Sequence, residues 1–520
     1  MSNGSPAARA HFARGLAALH SFWYDEATRE FDAAMAADPK MRMAYWGAAM
    51  SHIQLLWGND DLDTARKLLA SMPDPDGLSD REVAWVSATL NLVGRDDDVH
   101  TSRKKFAAAM QDVHAQFPDD ESAAFLAIAL LSASRPEDPD NEAVRLRAGE
   151  LAQSVLAHNP THPGAAHYLI HAYDTPTLAM RALDTARAYA RFAPAAFHAR
   201  HMPAHVFSRL GMWSEAATSC QAAWDVSLAA AKQRGLSHEH YDFHSLNWLI
   251  EMNFEQGHRK DADAELALYA QAVRDGLGHA QRGQYALQVL SYLARTGEWS
   301  RADELLAPLS APATDAGGAA HCGGAPDSEP ALTEEMSAAD VRAHAAAMRH
   351  DVKEAKAQLA AMDAVEAKLV ASMKKTQPSA VAGIEATYAL RRRIVLAHAA
   401  SDDRALLAAL RESVPSADAQ ETGGETVLSG LLVHEQIAET LGRLGDLSHA
   451  LEEYKRVLAV HPHRARSLLG AARAAMRAKD PQTARAYYAD LAKVWVTADP
   501  GTDGLDEARS AQNGSADVLR

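Results

Sequence analysis

The sequence predicts an all-α chain, folded as a solenoid of helix–turn–helix units, and three observations carry that expectation. Apolar residues recur at helical spacing along almost all of the 520 residues, which are rich in alanine, leucine and arginine. Alternating runs of strand type are missing. Glycine or Asp-Pro pieces divide the chain into helical stretches of about 12 to 16 residues. A chain this long forms either several domains or one extended array of repeats.

The formal charge is −16 and the pI is about 5.8. An acidic chain with no basic stripe repels phosphate, so nucleic acid and anionic membranes are not expected as partners. No apolar run of 18 residues occurs, which excludes a spanning helix. The opening "MSNGSPAARAHFARG" has no apolar stretch of signal-peptide kind, and a cytoplasmic location is expected. The two cysteines, Cys220 and Cys322, make neither a disulfide framework nor a cysteine zinc motif. Cys220 falls at an apolar helical position and is expected to be buried and inert. Histidine is unusual: 11 of the 25 lie between His158 and His258, where an even spread would place about five.

The helices follow a repeating pattern. "GLAALHSFWYDEATREFDAAMAADP" (15–39) holds a glycine, Tyr24, Ala27, Phe31 and a closing Asp-Pro. "RLGMWSEAATSCQAAWDVS" (209–227), "RTGEWSRADELLAPL" (295–309), "RLGDLSHALEEYKRVLAVHP" (443–462) and "KDPQTARAYYADLAKVW" (479–495) repeat parts of it. These stretches resemble the tetratricopeptide repeat, a helix–turn–helix unit of about 34 residues. The resemblance implies a right-handed superhelical solenoid. It extends less sharply to 78–118, 163–194 and 243–276, and is poor over 310–430. The small residues Ala27, Ala216, Ala302, Ala450 and Ala484 should let helices approach, and Tyr24, Trp213 and Trp299 should fill the grooves. The expected organisation is a solenoid over 1–309, a flexible loop over 310–330, further helical repeats over 331–497 and a disordered tail over 498–520. His321 and Cys322 in the loop form an isolated pair that carries no role.

In the tetratricopeptide family the first helix of each repeat lines a concave groove, through its positions 2, 5, 9, 12 and 13. Carried over on the glycine, alanine and proline landmarks, this puts His198, His201 and His205 of "HARHMPAHVFSRLG" at 2, 5 and 9. In "HPGAAHYLIHAYDTP" it puts His167, His171 and Asp174 at 5, 9 and 12. In "YDFHSLNWLIEMNFEQG" it puts His244, Asn247 and Glu251 at 2, 5 and 9. His20 falls at position 13 of the first repeat.

Residues four apart on a helix are neighbours, so His167 with His171 and His201 with His205 have the spacing to share an ion. Position 174 lies a further turn away, so a site must combine helices. His171, His201, His205 and His244 are the leading ligands, with His167 beside them and Asp174 or Glu251 as a carboxylate ligand or its hydrogen-bonding support. Imidazole with carboxylate suits a divalent transition metal such as zinc, iron, copper or nickel, and does not choose among them. Pro203 either kinks one helix and re-aims His205, or marks a helix that starts near 202 and leaves His198 on a loop. His240 and Tyr241 precede the third groove helix and are secondary groove-lining candidates.

Two functions of different class fit. One is a metal-dependent enzyme acting on a small molecule, a hydrolase, lyase or oxidoreductase, with Glu251, Tyr173 and Arg209 as catalytic or orienting groups. The histidine pattern resembles that of bacterial tetratricopeptide-like proteins with "HYLIHAYD" and "HMPxH" segments, which implies a shared site and names no reaction. The alternative, implied by the repeat family, is a scaffold that holds a partner protein or peptide in its groove. A groove plugged by residues 310–430 would favour the small molecule.

Overall fold

The computed structural model describes residues 4–74, 77–94, 98–314, 329–376, 381–422, 430 and 432–512. Among these the structure is helical throughout, with short 3-10 turns and one isolated bridge between Gly278 and Thr314. No described helix is long and apolar enough to cross a membrane. His321 and Cys322 lie outside the described residues.

Successive helices pack as antiparallel hairpins. Pro6–His20 packs on Tyr24–Ala37, which packs on Arg42–Ser51. Gly15 and Gly47 explain how they close. A Cβ at Gly15 would stand 2.9 Å from the Phe31 ring, and one at Gly47 would stand 2.3 Å from it. The aromatic ring of the second helix is thus seated between two bare backbones. Tyr173 against Gly149 and Tyr454 against Gly470 repeat the device, with Cβ clearances of 2.2 and 2.4 Å. The repeat alanines Ala27, Ala216, Ala302, Ala450 and Ala484 are all buried, as are Tyr24, Trp213 and Trp299. This is the tetratricopeptide-like packing expected from the sequence: each hairpin covers the apolar face of the next.

Helix ends follow local chemistry. Ser79 and Glu82 form a capping box, and Asp61, Asp98, Asp242, Asp446 and Asp480 cap other N-termini with their carboxylates. Gly211 turns the chain at φ 68°, where its α-hydrogens also meet the Pro462 carbonyl.

That contact belongs to a docking of the C-terminal hairpins onto the middle of the chain. Trp213 Nε1 donates to the His463 carbonyl (2.9 Å), Trp495 Nε1 to the Glu255 carbonyl (3.1 Å), and the Asp499 amide to the Gly257 carbonyl (3.0 Å). The fully buried Arg464 pairs with Glu255 (3.2 Å) and Glu435 (2.7 Å). Residues 461–502 make this docking. The segment 331–422 continues as the long hairpins Pro330–Met348, Val352–Thr376, Val381–Ala399 and Asp403–Thr422. Beyond 498, where a disordered tail is expected, Leu505–Gln512 forms a helix with Leu505 and Ala508 buried against Pro481–Val494. Two apolar positions three apart suffice to anchor it.

Candidate metal centre

Three stretches of chain supply the histidines. Helix Pro163–Tyr173 starts at His162, whose Nδ1 accepts from the Ala165 amide, with Pro163 in the first turn. It is buried on all faces from Gly164 onward, which places it inside the solenoid. Its His167 and His171 stand one turn apart. The second stretch is broken. Helix Phe197–His201 ends, Met202 intervenes, and helix Pro203–Arg209 begins. Pro203 has no amide hydrogen to donate, so the i→i−4 ladder stops there. Both expectations for Pro203 are partly met: a new helix does start at 203, yet His198 remains helical. The third stretch is helix Phe243–Gln256, capped by Asp242, which carries His244 in its first turn.

These bring six imidazoles into two triads. His167 Nε2 lies 2.9 Å from His171 Nε2 and 3.0 Å from His198 Nε2. His201 Nε2 lies 3.0 Å from both His205 Nε2 and His244 Nε2. Each triad joins an i, i+4 pair to one histidine from a later helix, and the two pairs are 34 residues apart, one tetratricopeptide period. The triads adjoin: ring centroids of His171 and His205, and of His198 and His201, are 6.4 Å apart. Five of the six side chains are buried and His244 is half-buried.

The far side of the rings sets the tautomers. His167 Nδ1 donates to the His20 carbonyl at 2.6 Å, and His205 Nδ1 donates to Asp174 Oδ2 at 2.9 Å. Both therefore present an Nε2 lone pair to their triad. His201 Nδ1 backs onto Cys220 Sγ at 3.8 Å. Burial, followed by the neighbouring imidazoles, holds His167, His198 and His201 well below the ordinary histidine range, so they stay neutral. Burial pushes the Cys220 thiol up, which keeps it protonated.

Hydrogen bonding alone cannot satisfy this geometry. His167 Nε2 has one lone pair and two ring nitrogens within 3.0 Å. His201 Nε2 likewise meets two nitrogens, one of which, on His205, has no proton to offer. A single proton or lone pair serves one neighbour well and not two. A cation at the centre serves all three. With bonds of about 2.0–2.1 Å, tetrahedral ligand nitrogens stand about 3.3 Å apart, a few tenths of an ångström from the spacing here.

Aromatic rings wall both triads. Phe22 stacks on His171 and His198 and meets His167 edge-on at 4.3 Å. Its φ of 53° is a left-handed conformation that costs a non-glycine residue of order 1 kcal/mol. Trp57 stands edge-on to His198, and Trp248 covers His201, His205 and His244. Phe22 and Trp57 come from repeats more than 100 residues away, with no local signal for the contact.

The other candidates fall elsewhere. Asp174 lies beside the second triad. It supports His205 from behind and pairs with Arg209 at 2.9 Å, so Arg209 orients the carboxylate. His20 joins a separate cluster with Glu121 and His162. There His20 Nε2 donates to Glu121 Oε2 (2.8 Å), while Nδ1 accepts from the Tyr168 hydroxyl (3.0 Å). His162 uses its Nδ1 lone pair as the helix cap, so its Nε2 proton faces Glu121 Oε1 at 3.5 Å. In this arrangement both histidines turn protons to the Glu121 carboxylate, so hydrogen bonds satisfy the cluster without an ion.

Glu251, expected beside the histidines, is instead held by Arg295 (2.9 Å), Gln288 (3.1 Å) and Ser291. An arginine with two further donors outcompetes neutral imidazoles for a buried carboxylate. Tyr173 is seated on Gly149, with its hydroxyl 3.4 Å from Gln153, on the side of helix Asn141–Leu156. Asn247 is buried with its Oδ1 unbonded, and His240 lies in a 3-10 turn with its Nδ1 unbonded. Tyr241 packs edge-on against Trp224. None of these four enters a triad.

The fold and site thus define an all-α, tetratricopeptide-like solenoid with paired histidine triads in its interior. Comparison with family models and with curated proteins found no match. Among solved structures, the human IFIT1 dimer with m7Gppp-AAAA is similar at 10% identity, with 96% of each chain covered and a TM-score of 0.31. Yeast Tom70 is similar at 12% identity, with 98% of each chain covered and a TM-score of 0.28. Naa15/Naa10 bound to HypK-THB is similar at 14% identity, covering 98% of this chain and 68% of that one, with a TM-score of 0.24.

Proposed function

We propose that this chain is a transition-metal protein whose ions sit in the two histidine triads, and that it acts there on a small molecule. One observation carries the reading. In each triad one buried Nε2 stands within 3.0 Å of two others, an arrangement that a cation satisfies and hydrogen bonds do not. The Nδ1 hydrogen bonds behind His167 and His205 support it, because they turn a lone pair inward. A metal in such a site supplies Lewis-acid or redox chemistry to a bound substrate. The chain's own share is to orient the ligands through Asp174 and Arg209 and to exclude water with Phe22, Trp57 and Trp248. The likeness to bacterial proteins with "HYLIHAYD" and "HMPxH" segments belongs to the same reading.

The test is metal content of untagged protein by inductively coupled plasma mass spectrometry, with His171→Ala and His201→Ala alongside. Near-stoichiometric metal that falls in both folded variants is the expected result. Protein that carries no metal, and takes up neither zinc, iron nor copper on titration, would overturn it.

A second reading, partner binding, has its own observation. A cavity of about 870 Å³ opens between the docked C-terminal hairpins and the middle of the chain, with Arg443, Arg466, Arg473 and Arg477 on its wall. That surface suits an acidic peptide, and titration of poly-glutamate peptides against the full chain tests it.

A further inference from the structure

We propose that the corner His463–Ala465 positions a metal ligand: it holds helix Phe243–Gln256, and with it His244, against the segment that carries His201 and His205. This rests on the metal-binding reading above and deepens it, by naming what sets the geometry of the second triad. The helix comes first. His244, Trp248, Glu251 and Glu255 stand at i, i+4, i+7 and i+11, one stripe of the same helix. At its start, His244 Nε2 lies 3.0 Å from His201 Nε2, and Trp248 packs on the triad rings. At its end, about 16 Å further along the axis, Glu251 and Glu255 are fully buried. A hydrogen-bonded helix of three turns moves as one body, so what fixes the two carboxylates also fixes the imidazole.

The corner bonds to both helices beside the triad. Arg464, itself fully buried, reaches Glu255 Oε1 at 3.2 Å, and the Ala465 amide donates to Glu255 Oε2 at 2.7 Å. Arg295 ties the same carboxylate (2.7 Å) to that of Glu251 (2.9 Å). The His463 carbonyl accepts from Trp213 Nε1 at 2.9 Å. Trp213 opens helix Trp213–Arg234, which packs on both Phe197–His201 and Pro203–Arg209 and carries Cys220 behind His201. Three consecutive residues thus join the two helices that flank the second triad.

Two features mark the corner as more than packing. His463 takes a φ of 61°, a left-handed conformation that a non-glycine residue keeps where its surroundings over-determine it. His244 is the least enclosed of the six imidazoles, so its place depends on the helix that carries it. The first triad draws its pair from helix Pro163–Tyr173, and the hydrogen bonds of this corner go to the other two helices.

The experiment compares the triads in the full chain with zinc(II) alone, by competition against a chelator. His171→Ala leaves the second triad intact, and His244→Ala leaves the first. Arg464→Met, added to each, should weaken zinc at the second triad about 10-fold or more, the scale of lost ligand support. At the first triad it should change affinity by no more than about twofold, as for independent sites. Arg464→Lys, which keeps a cation beside Glu255, should recover part of the loss. Trp213→Phe deletes one N–H and keeps a ring, and should show the same selectivity; it carries the test if circular dichroism shows that Arg464→Met misfolds. Coupling is reciprocal, so zinc at the second triad should slow amide exchange over 461–477, and zinc at the first should not. Equal weakening of both triads, no weakening in folded variants, or exchange indifferent to zinc would overturn the positioning role and leave the metal-protein reading standing. Wild-type protein that binds no zinc would overturn both.

Discussion

Replacing Asp174 by asparagine probes the second triad without touching a ligand. The carboxylate accepts from His205 Nδ1 at 2.9 Å and from Arg209 Nε at 2.9 Å, and both partners are buried. Asparagine keeps the volume and loses the charge. Two consequences follow, and they are separable. His205 loses the acceptor that fixes its tautomer, which for supports of this kind weakens metal binding about 10–100-fold. Arg209 loses the carboxylate it holds at 2.9 Å, and breaking a buried ion pair costs about 3–5 kcal/mol. Chelator competition should show one metal site weakened and the other, in the His167 triad, unchanged. Chemical unfolding of the metal-free variant should show a lowered midpoint. Adding Arg209→Met removes the guanidinium as well, so the double variant should regain part of the stability and none of the affinity. Unchanged affinity at both sites in a folded Asp174→Asn variant would refute the role assigned to this carboxylate.

Three further outcomes are expected. Gly149→Ala places a methyl group 2.2 Å from the Tyr173 ring and should lower stability by about 1–3 kcal/mol, measured by denaturant unfolding; an unchanged midpoint would contradict the packing described. Arg464→Met takes the paired guanidinium from buried Glu435, while Glu255 keeps Arg295, and should cost about 3–5 kcal/mol, with new protease cleavage in 430–512; wild-type protease resistance would argue against closure through this residue. His434 is held between Glu453, its main cause, and Asp418, which raise it to about 9. Its charge therefore stabilises the fold fully below about pH 6.5, and about 1–3 kcal/mol is lost as pH rises through 9. His434→Gln should remove that loss, and a pH profile identical to wild type would count against it.

The helices were legible in the chain because their signals are local. Period, caps and the Gly–aromatic–Ala spacing act within one hairpin, and Phe31 and Tyr454 sit where that spacing puts them. The pair His167 and His171 was legible for the same reason, since i, i+4 neighbours on one helix are set by the helix itself. The helix at Leu505–Gln512 was missed because eight residues carry little periodicity and its anchor is another hairpin.

By itself, then, the amino-acid sequence determined an all-α, tetratricopeptide-like repeat and the residue type at its centre. Tertiary structure decided the grouping. His198 and His201 stand three residues apart on one short helix, yet His198 meets His167 and His201 meets His244. Competition decided the carboxylates: Arg295 holds Glu251 and Arg209 holds Asp174, because a guanidinium outbids a neutral imidazole for a buried anion. Closure joins Arg464, already paired with Glu435, to Glu255 more than 200 positions away. Such choices depend on which side chains arrive together in space, and helical periodicity carries no record of that.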